Sequence, residues 1–285
     1  MLRRCSRTDF DAYADFAYAL ARDLTSSGYP TYCDGIKTKA MFLERLGKAF
    51  ERNNEALLLF EYEGAVQGLI QYYWLPEDRY LAANAFNIRR GTEQALAEFL
   101  ALAGEQFKGY ELYLGFPAEN TRAIRFLSEH GFACIEDNYN NTAFLDRLGL
   151  LPEGIGLIRI GRENYDLFRV LHDPIDGDMY WNSERILADL DRWIVLVREQ
   201  NGRPRGAVYY TDAGEGWFEI FGIDMAQGVL DRDVFRELLT GALYDAWSRG
   251  GRVMTFFDER ESEEITKECG FVCIGNHLCY KIPLV

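Results

Sequence analysis

Apolar positions along this chain alternate between a helical period and short, compact runs. In residues 9–24, Phe10, Tyr13, Ala14, Phe16, Ala17 and Leu20 fall on one face, behind Thr8 or Asp9 as a cap, which predicts an amphipathic helix. A second helix is predicted over 39–50. The runs 55–61 and 66–74, separated by Glu63-Gly64, predict a hairpin, and 79–88 predicts a further strand. Residues 92–107 turn Ala95, Leu96, Phe99, Leu100, Leu102 and Ala103 inward as a strong amphipathic helix. A strand over 111–116, a helix over 120–130 stopped by Gly131, and a strand from Ala133 complete the first half. The second half reads alike. A helix starts at Ser183, hairpin strands cover 193–198 and 206–211, and a strand covers 217–223. Then follow a helix over 232–248, a strand over 253–257, a short helix over 263–269 and a strand over 272–282.

This likeness is also written in residues. Gly131-Phe132-Ala133-Cys134-Ile135 returns as Gly270-Phe271-Val272-Cys273-Ile274, Glu44-Arg45-Leu46 as Glu184-Arg185-Ile186, and Gly68 aligns with Gly206. All lie 138 to 140 residues apart and in the same order, which predicts one duplicated domain and not a solenoid of short units. The expected boundaries are 1–148 and 155–285, joined by 149–154. The element order strand-helix-helix-strand-strand-strand-helix-strand-helix-strand, run twice, predicts an α+β fold. Each copy is a mixed, mostly antiparallel central sheet flanked by helices.

Asn120-Thr121-Arg122-Ala123-Ile124-Arg125-Phe126-Leu127-Ser128-Glu129-His130-Gly131-Phe132 resembles the Asn-x-x-Ala-Ile…Gly-Phe segment of the GNAT family, the GCN5-related N-acetyltransferases. Arg89-Arg90-Gly91-Thr92-Glu93-Gln94-Ala95-Leu96, entered from Phe86-Asn87-Ile88, resembles the family's loop and helix start for the coenzyme A pyrophosphate. The resemblance implies acetyl-CoA as co-substrate and an N-acetyltransferase acting on the amine of a small molecule or peptide. It implies cofactor contacts from Phe86, Asn87, Ile88, Arg89, Arg90, Gly91, Thr92, Glu93 and Asn120. The alternative is a non-catalytic module of the same fold that binds an acyl-CoA or another ligand as a sensor or interaction protein.

Elementary chemistry supports an anion at this loop. A helix N-terminus presents unpaired N–H groups and partial positive charge, Gly91 lets the backbone approach, and Arg89 and Arg90 add cations. The family pattern Gln/Arg-x-x-Gly-x-Gly/Ala is altered at both ends. Ile88 is apolar, and Glu93 brings a carboxylate that repels phosphate unless it points away. Asn120 serves either as a cofactor contact or as a helix N-cap. The corresponding stretch of the second half, residues 223–234, has one glycine and three acids, which makes the first half the cofactor-binding copy and the second a degenerate one.

Transfer to an amine needs a base, an oxyanion donor and a leaving group that departs as thiolate or thiol. The tyrosine acid common in the family is replaced by Leu127, and by Ile265 in the second half. Glu219, a carboxylate inside the apolar strand Trp217-Phe218-Glu219-Ile220-Phe221, is expensive to bury unpaired. It reads as a base or amine anchor, or else as a strand-edge carboxylate facing solvent or an arginine. In each hairpin, Tyr72, Tyr73 and Trp74, like Tyr209 and Tyr210, alternate faces, so core packing accounts for most of them. His172 with Asp173, Asp176 and Asp178 reads as a solvated acidic loop, with a cation or polyamine site as the sharper option.

Composition narrows these readings. The 285 residues are 48% hydrophobic and 14% aromatic, enough for a core in each half. Charges of 31 basic against 45 acidic give −14, which argues against nucleic acid, including the RNA face an aminoacyl transferase would want. No apolar run approaches a membrane span and no signal peptide is visible, so no membrane partner is expected and the cytoplasm is the expected compartment. Six cysteines without a CxxC pair and only three histidines predict buried reduced thiols and no metal. The oligomeric state is left open.

Overall fold

A computed structural model describes residues 1–149, 156–177, 179–259 and 261–285. Most of the expected linker 149–154, and Asp178, lie outside the described residues. The chain forms two compact units, Met1–Asp137 with Gly275–Val285, and Asn138–Ile274.

In the first unit the order is β1 (Leu2–Arg4), α1 (Arg7–Ala21), α2 (Lys39–Gly47), β2 (Glu55–Tyr62), β3 (Ala65–Leu75), β4 (Tyr80–Ile88), α3 (Thr92–Gln106), β5 (Glu111–Pro117) and α4 (Thr121–Glu129), with β6 (Ala133–Phe144) leaving the unit. Helix α1 starts earlier than the pattern predicts. Ser6 caps it and Asp9 returns the bond to the Ser6 N–H, so Asp9 is the third helical residue and not the cap. It also ends earlier, at Ala21, which frees residues 23–29 for another use. Asn120 caps α4, accepting the Ala123 N–H at 3.3 Å. Gly131 and Gly270 both take positive φ just past their helices, which explains the Gly-Phe repeat.

In the second unit the order is β7 (Leu157–Arg159), α5 (Asp166–His172), α6 (Ser183–Ala188), β8 (Trp193–Gln200), β9 (Arg203–Gly214), β10 (Trp217–Met225), α7 (Arg232–Ser248), β11 (Val253–Asp258) and α8 (Glu263–Glu268), with β12 (Val272–Pro283) leaving it.

Each unit borrows its last strand. The first sheet runs β1-β2-β3-β4-β5-β12, and the second β7-β8-β9-β10-β11-β6. Pairing is antiparallel except at β4·β5 and β10·β11. The repeat therefore lies in contiguous halves, but the compact units do not. Strand β12 pairs His277–Pro283 with Pro117–Glu111, and β6 pairs Tyr139–Phe144 with Asp258–Val253.

Strands β2 and β8 are buried on both faces, which is why they read as continuous apolar runs. In the first unit α3 and α4 cover one face (Ile70, Phe86, Phe99, Leu114) and α1 and α2 the other (Phe10, Phe42, Leu59). The second unit repeats this with α7 and α8 over Phe218 and Met254, and α5 over Val195 and Tyr209.

The borrowed strand has a consequence for folding. Without residues 272–285, the β5 edge is unpaired and the side chains Tyr280, Ile282 and Leu284 are missing from the first core. An isolated fragment 1–148 is expected to show no cooperative thermal transition by circular dichroism, while addition of a 272–285 peptide restores one. A cooperative melt of the fragment alone would contradict the assignment.

Candidate functional site

The site grows from the place where the two parallel strands of the first unit part. β4 and β5 are paired over Tyr80–Ala82 and Glu111–Tyr113 only, although β4 runs on to Ile88 and β5 to Pro117. A bulge at Asn84, between the pairs Gln71–Ala85 and Tyr72–Ala83, helps turn β4 away. Arg45 of α2 holds the bulge by donating to Asn84 Oδ1 at 2.6 Å. Beyond that point the facing backbone groups need new partners.

At the far end of β4, Gly91 takes φ +74° and begins α3 with no side-chain cap. A Cβ there would press to 3.0 Å on the Tyr62 ring, so close approach as well as φ requires glycine. A cleft of about 250 Å³ opens at this helix start, lined by Tyr62, Gly91, Thr92, Glu93, Gln94 and Arg122. Glu93 does not point its charge into it freely. Arg125 of α4 binds the carboxylate at 2.6 Å, both side chains being exposed. Arg89, Arg90 and Arg122 stand exposed around the same end. The arrangement is a helix N-terminus with cations and a neutralised acid, which suits a diphosphate.

The remaining residues expected to hold the cofactor are buried. Phe86, Asn87, Ile88 and Asn120 are each about 1% exposed, and the chain's own segment 26–28 engages the last three. The Ile88 N–H donates to Ser26 O, Gly28 N–H to Asn87 Oδ1, and Asn120 Nδ2 to Ser27 O.

On the α1–α2 face of the first unit lies a group whose partnership sequence reasoning missed, although the loop Tyr29-Pro30-Thr31-Tyr32 after the first helix resembles the place where GNAT proteins shape an acceptor site. Tyr29, whose N–H donates to Gly115 O, meets the His277 ring edge-on at 4.4 Å. Glu136 Oε2 lies 3.5 Å from His277 Nδ1. Burial pushes His277 down to about 4, so it is neutral near pH 7. Further along the same face, Tyr80 stacks on Tyr113 at 4.7 Å, and Glu111 accepts from Tyr113 at 2.9 Å and from Lys281 at 2.8 Å. The Lys281 hydrogen bond holds Glu111 below its ordinary range. Tyr29 and His277 are 248 positions apart, and only the borrowed strand joins them, so no local signal marks the pair.

No protein-family model matches this sequence, and no curated protein matches it. Solved structures do. A GCN5-related N-acetyltransferase from Sphaerobacter thermophilus aligns at a TM-score of 0.65 and 14% identity, over 99% of this chain and 95% of that one. A tandem GNAT protein from the clavulanic acid biosynthesis pathway aligns at 0.53 and 11%, over 99% and 98%. A GCN5-related N-acetyltransferase from Kribbella flavida aligns at 0.54 and 14%, over 84% and 93%. The fold is that of the GCN5-related N-acetyltransferases, present twice.

The second copy of the fold keeps the frame and differs in its side chains. Its β10 and β11 also part, after Ile220 and Phe256, and its bulge falls at Phe221. The start of α7 is filled by the chain itself. Asp231 accepts the Val234 N–H at 3.3 Å and pairs with Arg205, and the backbone bond holds its carboxyl below the usual range. Asp224 stands where the first copy has Asn87, each on the penultimate register before the conserved glycine pairing. It binds His172 Nδ1 at 2.8 Å, while His172 Nε2 meets Trp181 O at 2.9 Å. His172 is fully buried and clasps α5 to β10, while Asp173 is exposed and Asp176 half-buried, so the expected solvated loop holds for Asp173 and is corrected for His172. Burial raises Asp224; for His172, burial opposes a net upward shift caused by Asp224. Both directions fit one proton held between them.

Glu219 belongs to this second unit. It is half-buried in β10, opposite Thr211 on β9 and Thr255 on β11, and Thr255 in turn faces Thr142. A row of threonines, with Trp217 Nε1 donating to Thr255 at 2.9 Å, makes the position polar and lowers the cost of a carboxylate there. In the first copy the same register holds Ala82 between Tyr73 and Tyr113. Leu127 and Ile265, where the family's tyrosine acid is absent, are fully buried core residues. The cysteines are free, but Cys33 and Cys134 are exposed, so the expectation that all are buried is corrected. Among the described residues no group of acids, histidines and cysteines is placed to hold a metal.

Two outcomes follow. His172→Ala leaves Asp224 buried without its partner and is expected to cost about 3 kcal/mol in urea unfolding, and a loss under 1 kcal/mol would contradict the clasp. For His277, the folded pKa of about 4 lies below the ordinary 6.5. Its contribution to stability is therefore complete above pH 6.5 and is lost as pH falls toward 4. The stability difference between wild type and His277→Gln is expected to shrink by roughly 3 kcal/mol over that window; parallel curves would contradict it.

Proposed function

We propose that the protein is an acetyl-CoA-dependent N-acetyltransferase of the tandem GNAT type, acting on the amine of a small molecule or peptide, with the first unit as the cofactor-binding copy. The observation that carries this reading is the uncapped start of α3, where Arg122 lines the cleft and Arg125 draws off the Glu93 charge. Acetyl-CoA supplies the acyl group as a thioester when bound. Thr92, Glu93 and Gln94 would offer backbone N–H groups to its diphosphate, with Arg122, Arg89 and Arg90 adding charge. The tyrosine-lined face around Tyr73, Tyr80 and Tyr113 would receive the acceptor. His277, neutral at physiological pH, with Glu136 beside it, is proposed to take the proton that the attacking amine must lose. The free cysteines are consistent with a cytoplasmic setting. Among the described residues no helix is long and apolar enough to cross a membrane.

One observation favours the second reading, a non-catalytic module that binds an acyl-CoA or another ligand. Residues 26–29 bridge β4 and β5 in the gap, which closes the route from the α3 start to the tyrosine face. The missing tyrosine acid points the same way.

Titration calorimetry with acetyl-CoA tests the shared part. Arg122→Ala is expected to weaken binding about tenfold, the loss of one charge-assisted contact. No heat from the wild type at millimolar acetyl-CoA would overturn the first reading and the acyl-CoA form of the second. Thiol release with a panel of amines then separates them. Glu136→Gln and His277→Gln are expected to lower kcat at least tenfold with little change in acetyl-CoA affinity. Wild-type binding without thiol release for any amine would leave the binding module as the function.

A further inference from the structure

The first unit contains a segment whose contacts are those of a bound ligand. Ser26, Ser27 and Gly28 are buried, yet they belong to no helix or strand. Ser26 O accepts from the β4 wall at Ile88 (2.8 Å), and Gly28 N–H donates to Asn87 Oδ1 on the same wall (3.1 Å). Tyr29 N–H donates to the β5 wall at Gly115 O (2.9 Å), and Asn120 at the α4 start donates to Ser27 O (3.0 Å). A short peptide thus satisfies both strands where they part. Position 28 is the narrowest point. A Cβ there would lie 3.1 Å from Phe86 Cβ, 3.2 Å from Phe86 N and 3.3 Å from Gly115 O.

We infer that residues 23–29 are a displaceable plug, a peptide mimic of the amide-bearing thiol arm of coenzyme A, so that arm binding and plug release are one coupled equilibrium. The inference rests on the coenzyme A reading above. Three features make the plug removable. Tyr32 N–H donates to Ala21 O at 2.8 Å, so both ends of the loop are tied together and α1 and α2 stay in place when its middle moves. The Asp23 turn, with bonds from Thr25 and Ser26, is local to the loop. Ser27 Oγ is buried and has no hydrogen-bond partner among the described residues, so the closed state carries a polar group left unmet. An arm with its own amide N–H and C=O groups can replace the segment's bonds to Ile88, Gly115 and Asn120, because it offers the same donors and acceptors in an extended chain. The diphosphate cleft at the α3 start lies immediately beyond Ile88, where such a ligand would be anchored first. The apparent affinity for coenzyme A is then lowered by the fraction of molecules that are closed. A ligand that lacks the arm is unaffected.

Two probes test this on the full chain: coenzyme A, and its nucleotide half 3′-phospho-ADP, which has the phosphates and no arm. In hydrogen exchange, saturating coenzyme A is expected to abolish protection of the Gly28 and Tyr29 amides, while 3′-phospho-ADP leaves both protected. Gly28→Ala, which crowds the plug and leaves the ligand's contacts alone, is expected to tighten coenzyme A about fivefold and to leave 3′-phospho-ADP unchanged. Coenzyme A that binds while Gly28 and Tyr29 stay protected would overturn the plug and spare the cofactor reading. If neither probe binds, the cofactor reading itself falls. If Gly28→Ala does not fold, the wild-type exchange result alone decides.

Discussion

Everything distinctive in the first unit depends on the parting of β4 and β5. A parallel pair inside an otherwise antiparallel sheet is held over three registers, and the bulge at Asn84 then turns one strand away from the other. Backbone groups along the gap must be met by something. In this chain they are met by residues 26–29, and the same residues join the strand end at Ile88 to Gly115 and, through Tyr29, to His277. The gap thus positions the cleft at the α3 start at one end and the tyrosine face at the other. The second unit has a similar parting and meets it with side chains, as Asp224 on β10 takes the buried His172 of α5.

Duplication preserved the frame and let the ends diverge, as expected where fold and site are separable. One helix start, α3, is left without a side-chain cap, and the acid in its first turn, Glu93, is drawn away by Arg125. The other, α7, is satisfied by its own Asp231. In a chain of net charge −14, that contrast distinguishes the two helix starts where the overall charge does not. Asp224 in place of Asn87, and Glu219 in place of Ala82, make the same point within one strand.

The element order was legible because each helix shows one apolar face and each central strand is covered on both sides. Glycines after α4 and α8 marked the same turn twice. What sequence could not show is which sheet receives each last strand. β6 and β12 carry the same pattern 139 residues apart, so the pattern does not assign either strand to its edge. The start of α1 was misplaced because Thr8 is as good a cap by type as Ser6; the Ser6–Asp9 reciprocal bonds decide between them. His172 was misread for a similar reason, since its acidic neighbours in sequence conceal a partner 52 positions away. The α3 start was the most legible part of the site, because a helix start is a local feature. The plug and the Tyr29–His277 contact were not, because Ser-Ser-Gly-Tyr has no period and its partners lie in other elements.

The central claim is that the α3 start of the first unit receives the diphosphate of coenzyme A. Backbone amide chemical shifts report it directly. On titration with coenzyme A, the Thr92, Glu93 and Gln94 amides are expected to move downfield together as they begin to donate to phosphate oxygens. Binding that leaves these three resonances in place and instead moves those of Asp231, Arg232 and Asp233 at the start of α7 would contradict the account.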